Sequence, residues 1–274
     1  KDVIDIVSKE NDIIIDLKIK NDLDNKSQSK FTFFDSTNLI DKDIDFVFAV
    51  GGDGTILRSI TYVRDSGVPI LGINSGRLGF LTSVQKDNVS EALVKIKENK
   101  FSIVERTLLE LKSNSSSNFF SYALNEVTIQ RKDTTSLLNI SCSINDDYLT
   151  NYWSDGLIIS TPTGSTGYSL SNGGSLVSPE SKVIILNPIA PHNINMRSLI
   201  IPDHSEITIK VEGTDNINLS LDSRMYSFDS KNEFKLSKSQ FVIKTIKLND
   251  DNFYKRLREK LFWGQDMRNK KISD

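Results

Sequence analysis

The apolar positions of the chain keep two different rhythms, one before about Glu105 and another after it. In the first stretch, Phe46-Val47-Phe48-Ala49-Val50 and Val68-Pro69-Ile70-Leu71-Gly72-Ile73 are unbroken runs of β-formers, the composition of strands buried on both faces of a parallel sheet. Ile56, Leu57 and Ile60, and then Val89, Ala92, Leu93 and Ile96, recur at helical spacing. Val3, Ile4, Ile6 and Val7 give a weaker helical stripe, Ile13-Ile14-Ile15-Asp16-Leu17 reads as a strand, and the polar residues 20–30 read as a loop. After Glu105 short alternating segments are separated by polar turns. Strands are predicted over 108–112, 119–129, 138–144, 156–160, 182–186, 198–201, 206–211, 217–221 and 233–236. Phe241-Val242-Ile243 and Thr245-Ile246-Lys247-Leu248 add strand residues. Asp250 to Trp263 reads as a helix whose apolar Phe253, Tyr254, Leu257, Leu261 and Phe262 must pack somewhere. The expected fold is an α/β N-terminal domain with a doubly wound-like sheet (1–104), a mostly β domain (105–237), and a C-terminal segment (238–274) whose helix packs back on the first domain.

Both buried strands of the first domain end in glycine loops, Gly51-Gly52-Asp53-Gly54-Thr55 and Asn74-Ser75-Gly76-Arg77-Leu78-Gly79-Phe80-Leu81. Adjacent strand ends of this kind frame the ligand crevice of a doubly wound sheet. The first loop offers backbone N–H groups and a helix N-terminus, with Thr55 as its expected cap, which together make a seat for phosphate. Asp53 would repel an anion there. Its presence points to metal binding or proton acceptance, and so to phosphoryl transfer rather than passive binding, although a bare GGxG is as often an ordinary turn. Arg58 and Arg77, just beyond the two loops, are candidates for phosphate contact or simply solvated arginines. A second polar-loop segment runs from Asp155 to Gly174. There a strand opens into Thr161-Pro162-Thr163-Gly164-Ser165-Thr166-Gly167-Tyr168, a dense set of donors with one aromatic ring able to stack on a base.

Composition removes several alternatives. The 274 residues carry 34 basic and 36 acidic side chains for a formal net charge of -2, so there is no basic footprint for nucleic acid. No run is long enough to span a membrane, the start does not resemble a signal peptide, and one cysteine, Cys142, excludes an internal disulfide. A cytoplasmic protein is the simplest expectation. No His/Cys spacing suggests zinc, so no protein metal site is expected. The chain does not begin with Met, which leaves open whether residues precede Lys1.

Four blocks taken together, Gly51-Gly52-Asp53-Gly54-Thr55, Asn125-Glu126, Thr161 to Tyr168 and Asn187-Pro188-Ile189-Ala190-Pro191-His192, closely resemble the ATP-dependent NAD kinases and occur in that family's order. The tail from Phe253 to Gly264 is similar to bacterial members. The resemblance implies transfer of the terminal phosphate of ATP to the 2′-hydroxyl of the adenosine ribose of NAD, giving NADP. It also implies Mg2+ held chiefly by phosphates, and a homodimer or homotetramer. By that resemblance Asp53 engages and deprotonates the acceptor hydroxyl beside Gly54, with Gly51, Gly52 and Thr55 near the phosphates. Asn125 and Glu126 hold the adenine and ribose edges, Thr166, Tyr168 and Ser171 line the adenine pocket, and Phe80 walls it. Asp155 reaches the nicotinamide end across a subunit interface. His192 is expected to fix a loop, and Asp222 is a candidate ligand residue. It stands in Asp222-Ser223-Arg224, where many members carry Asp-Gly-Gln. The family's usual opening strand with its own glycine-rich turn is not supplied by anything before Val3. The rival expectations are a lipid or sugar kinase sharing the glycine-Asp-glycine turn, and a non-catalytic dinucleotide-binding module.

Overall fold

The computed structural model describes residues 2–35, 40, 43–76, 79–114, 119–132, 136–212, 216–248 and 252–264. The chain opens with α1 (Asp2–Val7), β1 (Ile14–Asp16), α2 (Asn25–Lys30) and β2 (Thr32–Phe34). Residues 20–30 are therefore not the loop that their polarity suggests. A 3-10 turn occupies Leu17–Asp22, and α2 starts behind Asp24, whose carboxylate accepts the Ser27 N–H at 2.9 Å. Side-chain capping forms these turns, and hydrophobic periodicity does not register it.

The α/β layer follows as β3 (Val47–Gly51), α3 (Asp53–Val63), β4 (Ile70–Asn74), β5 (Val84–Gln85) and α4 (Val89–Lys97). Strands β3 and β4 are parallel neighbours with Gly51 opposite Asn74, so both glycine loops leave the same edge of the sheet. Helix α3 covers one face, where Ile56, Ile60 and Val63 pack with Ala49 and Ile70. On the other face Val3 and Val7 of α1 and Val89 and Ala92 of α4 pack with Leu71 and Ile73. Burial of each of these side chains, the alanines apart, contributes about 1.5–3 kcal/mol. Thr55 is not the cap of α3. The helix begins two residues earlier, with Gly52 as N-cap and Asp53 already in the first turn.

The remaining elements are β6 (Phe101–Ser113), β7 (Tyr122–Ala123), β8 (Glu126–Arg131), β9 (Leu138–Ile144), β10 (Asp147–Ser154), β11 (Gly156–Ser160), α5 (Tyr168–Ser171), β12 (Val183–Ile189), β13 (Leu199–Pro202), β14 (Ile207–Glu212), β15 (Asn216–Leu221), β16 (Arg224–Asp229), β17 (Glu233–Leu248) and α6 (Phe253–Leu261). Six of them form an antiparallel sheet in the order β13-β12-β11-β8-β15-β16. A second sheet runs β10-β9-β14-β17-β4-β3, with β5 beside β4 and β6 between β17 and β7. Ile129, Leu157 and Ile159 of the first sheet pack on Ile140, Ile209 and Phe234 of the second, closing a β sandwich. Cys142 lies in this core, fully buried.

Strand β17 is where the two layers meet. The segments expected separately at 233–236 and 241–248 are one strand, paired with β6 from Phe234–Ser113 to Leu248–Phe101 across a register shift between Lys238 and Val242. Its other edge meets β14 near its start and β4 at Thr245–Ile70. A shift of register lets one strand bend from the sandwich into the α/β sheet. Strands β10 and β16 were not expected, because exposed Tyr148, Trp153 and Met225 break the apolar alternation there. The expected apolar face of the last helix holds in part. Leu257 is buried and Phe253 and Leu261 are half-buried, whereas Tyr254 and, just past the helix, Phe262 are exposed, and Arg256 is buried beside Leu257. The helix docks by a polar contact, Arg256 donating through Nη1 to the carbonyl of Phe80.

Candidate active site

The carboxylate of Asp53 sits in a cup of backbone amides. Its Oδ2 accepts the Phe80 N–H at 2.7 Å, and its Oδ1 accepts those of Leu81 and Thr82 at 3.0 and 3.2 Å. Successive N–H groups aimed at one point make an anion seat, and here the protein's own carboxylate fills it. Gly79 makes this possible, since a Cβ on it would stand 1.7 Å from Asp53 Oδ1. The first glycine loop, by contrast, is open, because a Cβ at Gly52 or Gly54 would meet nothing within 4 Å. A ligand can therefore approach that backbone closely, next to the positive end of α3. Arg58 is exposed on the second turn of α3, and Arg77 lies outside the described residues.

The third loop is built onto the end of β8. Thr161 donates its N–H to Asn125 O at 2.9 Å and its Oγ1 proton to Leu124 O at 2.6 Å. Gly164 must be glycine, because a Cβ there would lie 2.1 Å from Asn125 O. This contact brings Gly167 and Tyr168 over Asn125 and Glu126, with Glu126 Oε2 only 2.9 Å from where a Gly167 Cβ would be. Tyr168 is 40% exposed, not core packing, and its hydroxyl accepts from Gln130 Nε2 at 2.8 Å. Its ring thus lies along β8. Thr166 Oγ1 donates to Thr163 O, and Ser171 is exposed at the end of α5. Two buried acceptors in this corner, Asn125 Oδ1 and Glu126 Oε2, have no hydrogen-bond partner among the described residues. Buried polar atoms left open in this way mark a place where a ligand supplies the donors. The two loop systems adjoin, since Leu81, Leu124 and Ile56 belong to one apolar cluster. Arg106 of β6 ties the Thr163 loop to β17, donating from Nε to Thr245 Oγ1 and from Nη1 to Thr163 Oγ1.

Burial pushes the Glu126 carboxyl up to about 8, the nearby Asp222 charge adds to this, and the Tyr168 backbone N–H opposes it. A carboxyl raised from its ordinary 4.5 contributes stability that is present in full below that value and lost as pH rises through about 8. Glu126→Gln cannot ionise. Its melting temperature is expected to match the wild type near about pH 5 and to exceed it near about pH 9. Parallel melting curves across that range check this, and an unchanged difference contradicts it.

Asp222, a candidate ligand residue from the sequence, is placed otherwise. Its side chain is 1% exposed and accepts the N–H groups of Leu124, Asn125 and Glu126 at 3.0, 2.7 and 3.3 Å. It fixes the segment that carries the open acceptors and does not itself face a ligand. Arg224 lies 3.6 Å from it and donates to the carbonyls of Phe120, at 2.7 Å, and Tyr122. The arginine in the family's usual glutamine position is thus a clamp on the chain leading into Asn125. Asp155 and His192 stand apart from this corner. Asp155 precedes β11, at the opposite end from Ser160, and pairs with Arg131 at 3.1 Å, while exposed His192 donates its backbone N–H to Trp153 O. Arg106, Arg256 and Lys260 were missed by sequence reasoning, and Arg224 was marked only as a departure from the family's usual glutamine, without a role. Arg256 and Lys260 lie in a stretch whose likeness to bacterial members could have marked them.

Open glycine backbone at the head of a helix, adjoining a corner with open buried acceptors and an exposed aromatic ring, defines the class: a small-molecule phosphotransferase. Comparison with known proteins specifies it. Residues 6–101 match the model of the ATP-NAD kinase N-terminal domain, and residues 124–248 that of the ATP-NAD kinase C-terminal domain. The chain is 48% identical over 252 residues to the NAD kinase of Flavobacterium psychrophilum, covering 90% of this chain and 86% of that one. It is 45% identical to the NAD kinase of Christiangramia forsetii over 89% of this chain and 85% of the relative. Among solved structures it is similar to yeast NADH kinase complexed with NADH, at a TM-score of 0.83 and 25% identity over 98% of this chain and 85% of that chain. An NAD kinase from Archaeoglobus fulgidus in complex with ATP gives a TM-score of 0.72 at 25% identity, over 91% and 97% of the two chains. The chain belongs to the ATP-NAD kinase family.

Proposed function

We propose that this protein transfers the γ-phosphate of ATP to the 2′-hydroxyl of the adenosine ribose of NAD. The observation that carries the reading is the pair of open buried acceptors, Asn125 Oδ1 and Glu126 Oε2, beside the exposed ring of Tyr168. Adenosine offers what that corner asks for: an amino group and ribose hydroxyls as donors, and a ring to stack. In this reading Thr166 and Ser171 border the adenine, Phe80 walls the pocket, and the open backbone of Gly52 and Gly54, with Gly51 packed on Thr55 behind it, faces the group being transferred. Asp53 orients the 2′-hydroxyl. Three N–H groups hold its carboxylate in place, and it takes the hydroxyl proton as the O–P bond forms and the bond to ADP breaks. Positioning then supplies much of the rate.

The metal belongs to the donor. Among the described residues no three ligating side chains gather into a cage, so the chemistry suits Mg2+ carried on the phosphates of ATP, where it would neutralise their charge. A homodimer or homotetramer is part of the same proposal, because Asp155, just before β11 and at the end away from Ser160, meets the nicotinamide end of a dinucleotide only when a second copy presents it. So is a cytoplasmic location; no helix among the described residues is long and apolar enough to cross a membrane.

The reading separates from a lipid or sugar kinase by its acceptor. With γ-labelled ATP and Mg2+, label is expected in NAD and not in diacylglycerol or fructose phosphate supplied in parallel. Label in either of those, with none in NAD, overturns it.

A further inference from the structure

The last helix reaches the site from outside both loop systems. Arg256, buried in the middle of α6, donates to the carbonyl of Phe80, and one turn further on Lys260 holds its ammonium 5.1 Å from the centre of the Phe80 ring. The N–H of that same Phe80 is the one bound to Asp53 Oδ2 at 2.7 Å. Phe80 is thus gripped from two sides, by the carboxylate on one and by α6 on the other. Among the described residues Lys260 forms no ion pair. On the same helix Lys255 pairs with Glu259 at 3.9 Å. Elsewhere in the candidate site Arg106 is engaged with two threonines and Arg224 with two carbonyls, while Arg58 stands exposed on α3. Lys260 is the cation held against the pocket wall without a protein anion of its own.

We propose that Lys260 is a catalytic residue of the phosphoryl transfer, its ammonium donating hydrogen bonds to the phosphate oxygens of ATP as the γ-phosphoryl group passes to the acceptor. This rests on the proposed kinase function and adds to it a group from a third segment of the chain. The glycine loop can offer only neutral N–H groups, and the carboxylate beside it repels the incoming phosphates. A mobile, fully charged donor across from that carboxylate offsets the repulsion, and preorganised charge of this kind counts for much of the stabilisation in phosphoryl transfer. The ring of Phe80 holds the ammonium without neutralising it. Partial burial lowers the Lys260 ammonium below its usual range and the Asp53 charge acts to raise it, so both the wall and the carboxylate are felt at its position. During the step the bond from the 2′-oxygen to phosphorus forms and the bond from phosphorus to the bridging oxygen of ADP breaks. The hydroxyl proton goes to Asp53, and Lys260 stays protonated throughout.

The test compares Lys260→Gln, Lys260→Arg and the control Lys255→Gln, using NADP formation and calorimetric titration with ATP. Lys260→Gln is expected to lower kcat about 100-fold and to weaken ATP binding, with KM for NAD close to wild type, whereas Lys260→Arg restores a large part of the rate. Lys255→Gln is expected to behave as wild type. Wild-type kcat and ATP affinity in Lys260→Gln overturn the assignment, as does a loss confined to NAD binding or one that Lys255→Gln reproduces. Absence of NADP formation by the wild-type protein would instead overturn the kinase reading.

Discussion

Asp53→Asn is expected to lower NADP formation by about 100- to 10,000-fold while leaving NAD binding measurable. Two effects combine. The amide removes the group that takes the hydroxyl proton, and its NH2 must face an N–H of Phe80, Leu81 or Thr82 that now donates to the carboxylate. A buried donor left facing another donor costs about 1–3 kcal/mol, so a modest drop in melting temperature accompanies the loss of rate. The two are separable. If loss of the proton acceptor dominates, kcat collapses with KM for NAD little changed; if loop 80–82 dominates, KM for NAD and stability suffer together. Wild-type kcat in this variant would remove Asp53 from the mechanism.

Asp222→Ala is expected to be the most destabilising single change in the candidate site. It strips the partner from three amides and leaves the Arg224 guanidinium buried beside an empty space. Burial already works against both charges, raising the Asp222 carboxyl and lowering the Arg224 guanidinium from their usual ranges. Removing one partner of such a pair costs about 3–5 kcal/mol. In a chain of this size that corresponds to a melting temperature lower by roughly 10 °C. Because the amides belong to Leu124, Asn125 and Glu126, NAD affinity is expected to fall as well. Replacing Arg224 by Met in the same protein should recover part of the stability and little of the affinity, since the orphan charge goes but the amides stay unpaired. Thermal melts and NAD titrations of both variants check this; a wild-type melting temperature for Asp222→Ala contradicts it.

These two carboxylates show what the sequence could and could not reveal. Both bind three successive amides, and both hold a loop whose residues face the proposed substrate. Asp53 was legible because its environment is local: a strand end, three glycines and a helix start fall within a few residues of it. Its partners at 80–82 were not, since nothing in a glycine loop says which carboxylate will fill it. Asp222 lies almost a hundred positions from the amides it binds, and only the pairing of β8 with β15 brings them together. The same distance hid Lys260 and Arg256, whose contact with Phe80 depends on where α6 lands. Periodicity assigned α6 an apolar face, of which Leu257 is buried, but gave no sign of the arginine buried beside it. The α/β pattern and the sandwich strands were readable because apolar runs and alternation report burial directly. The unity of β17 was not, because a register shift interrupts its alternation at the bend.

The account stands or falls on one reaction. Purified protein incubated with NAD, ATP and Mg2+ is predicted to form NADP and ADP in equal amounts, with NADP read by an NADP-specific dehydrogenase and ADP by a coupled assay. ADP formed without NADP, or NAD bound with no turnover of ATP, would contradict it.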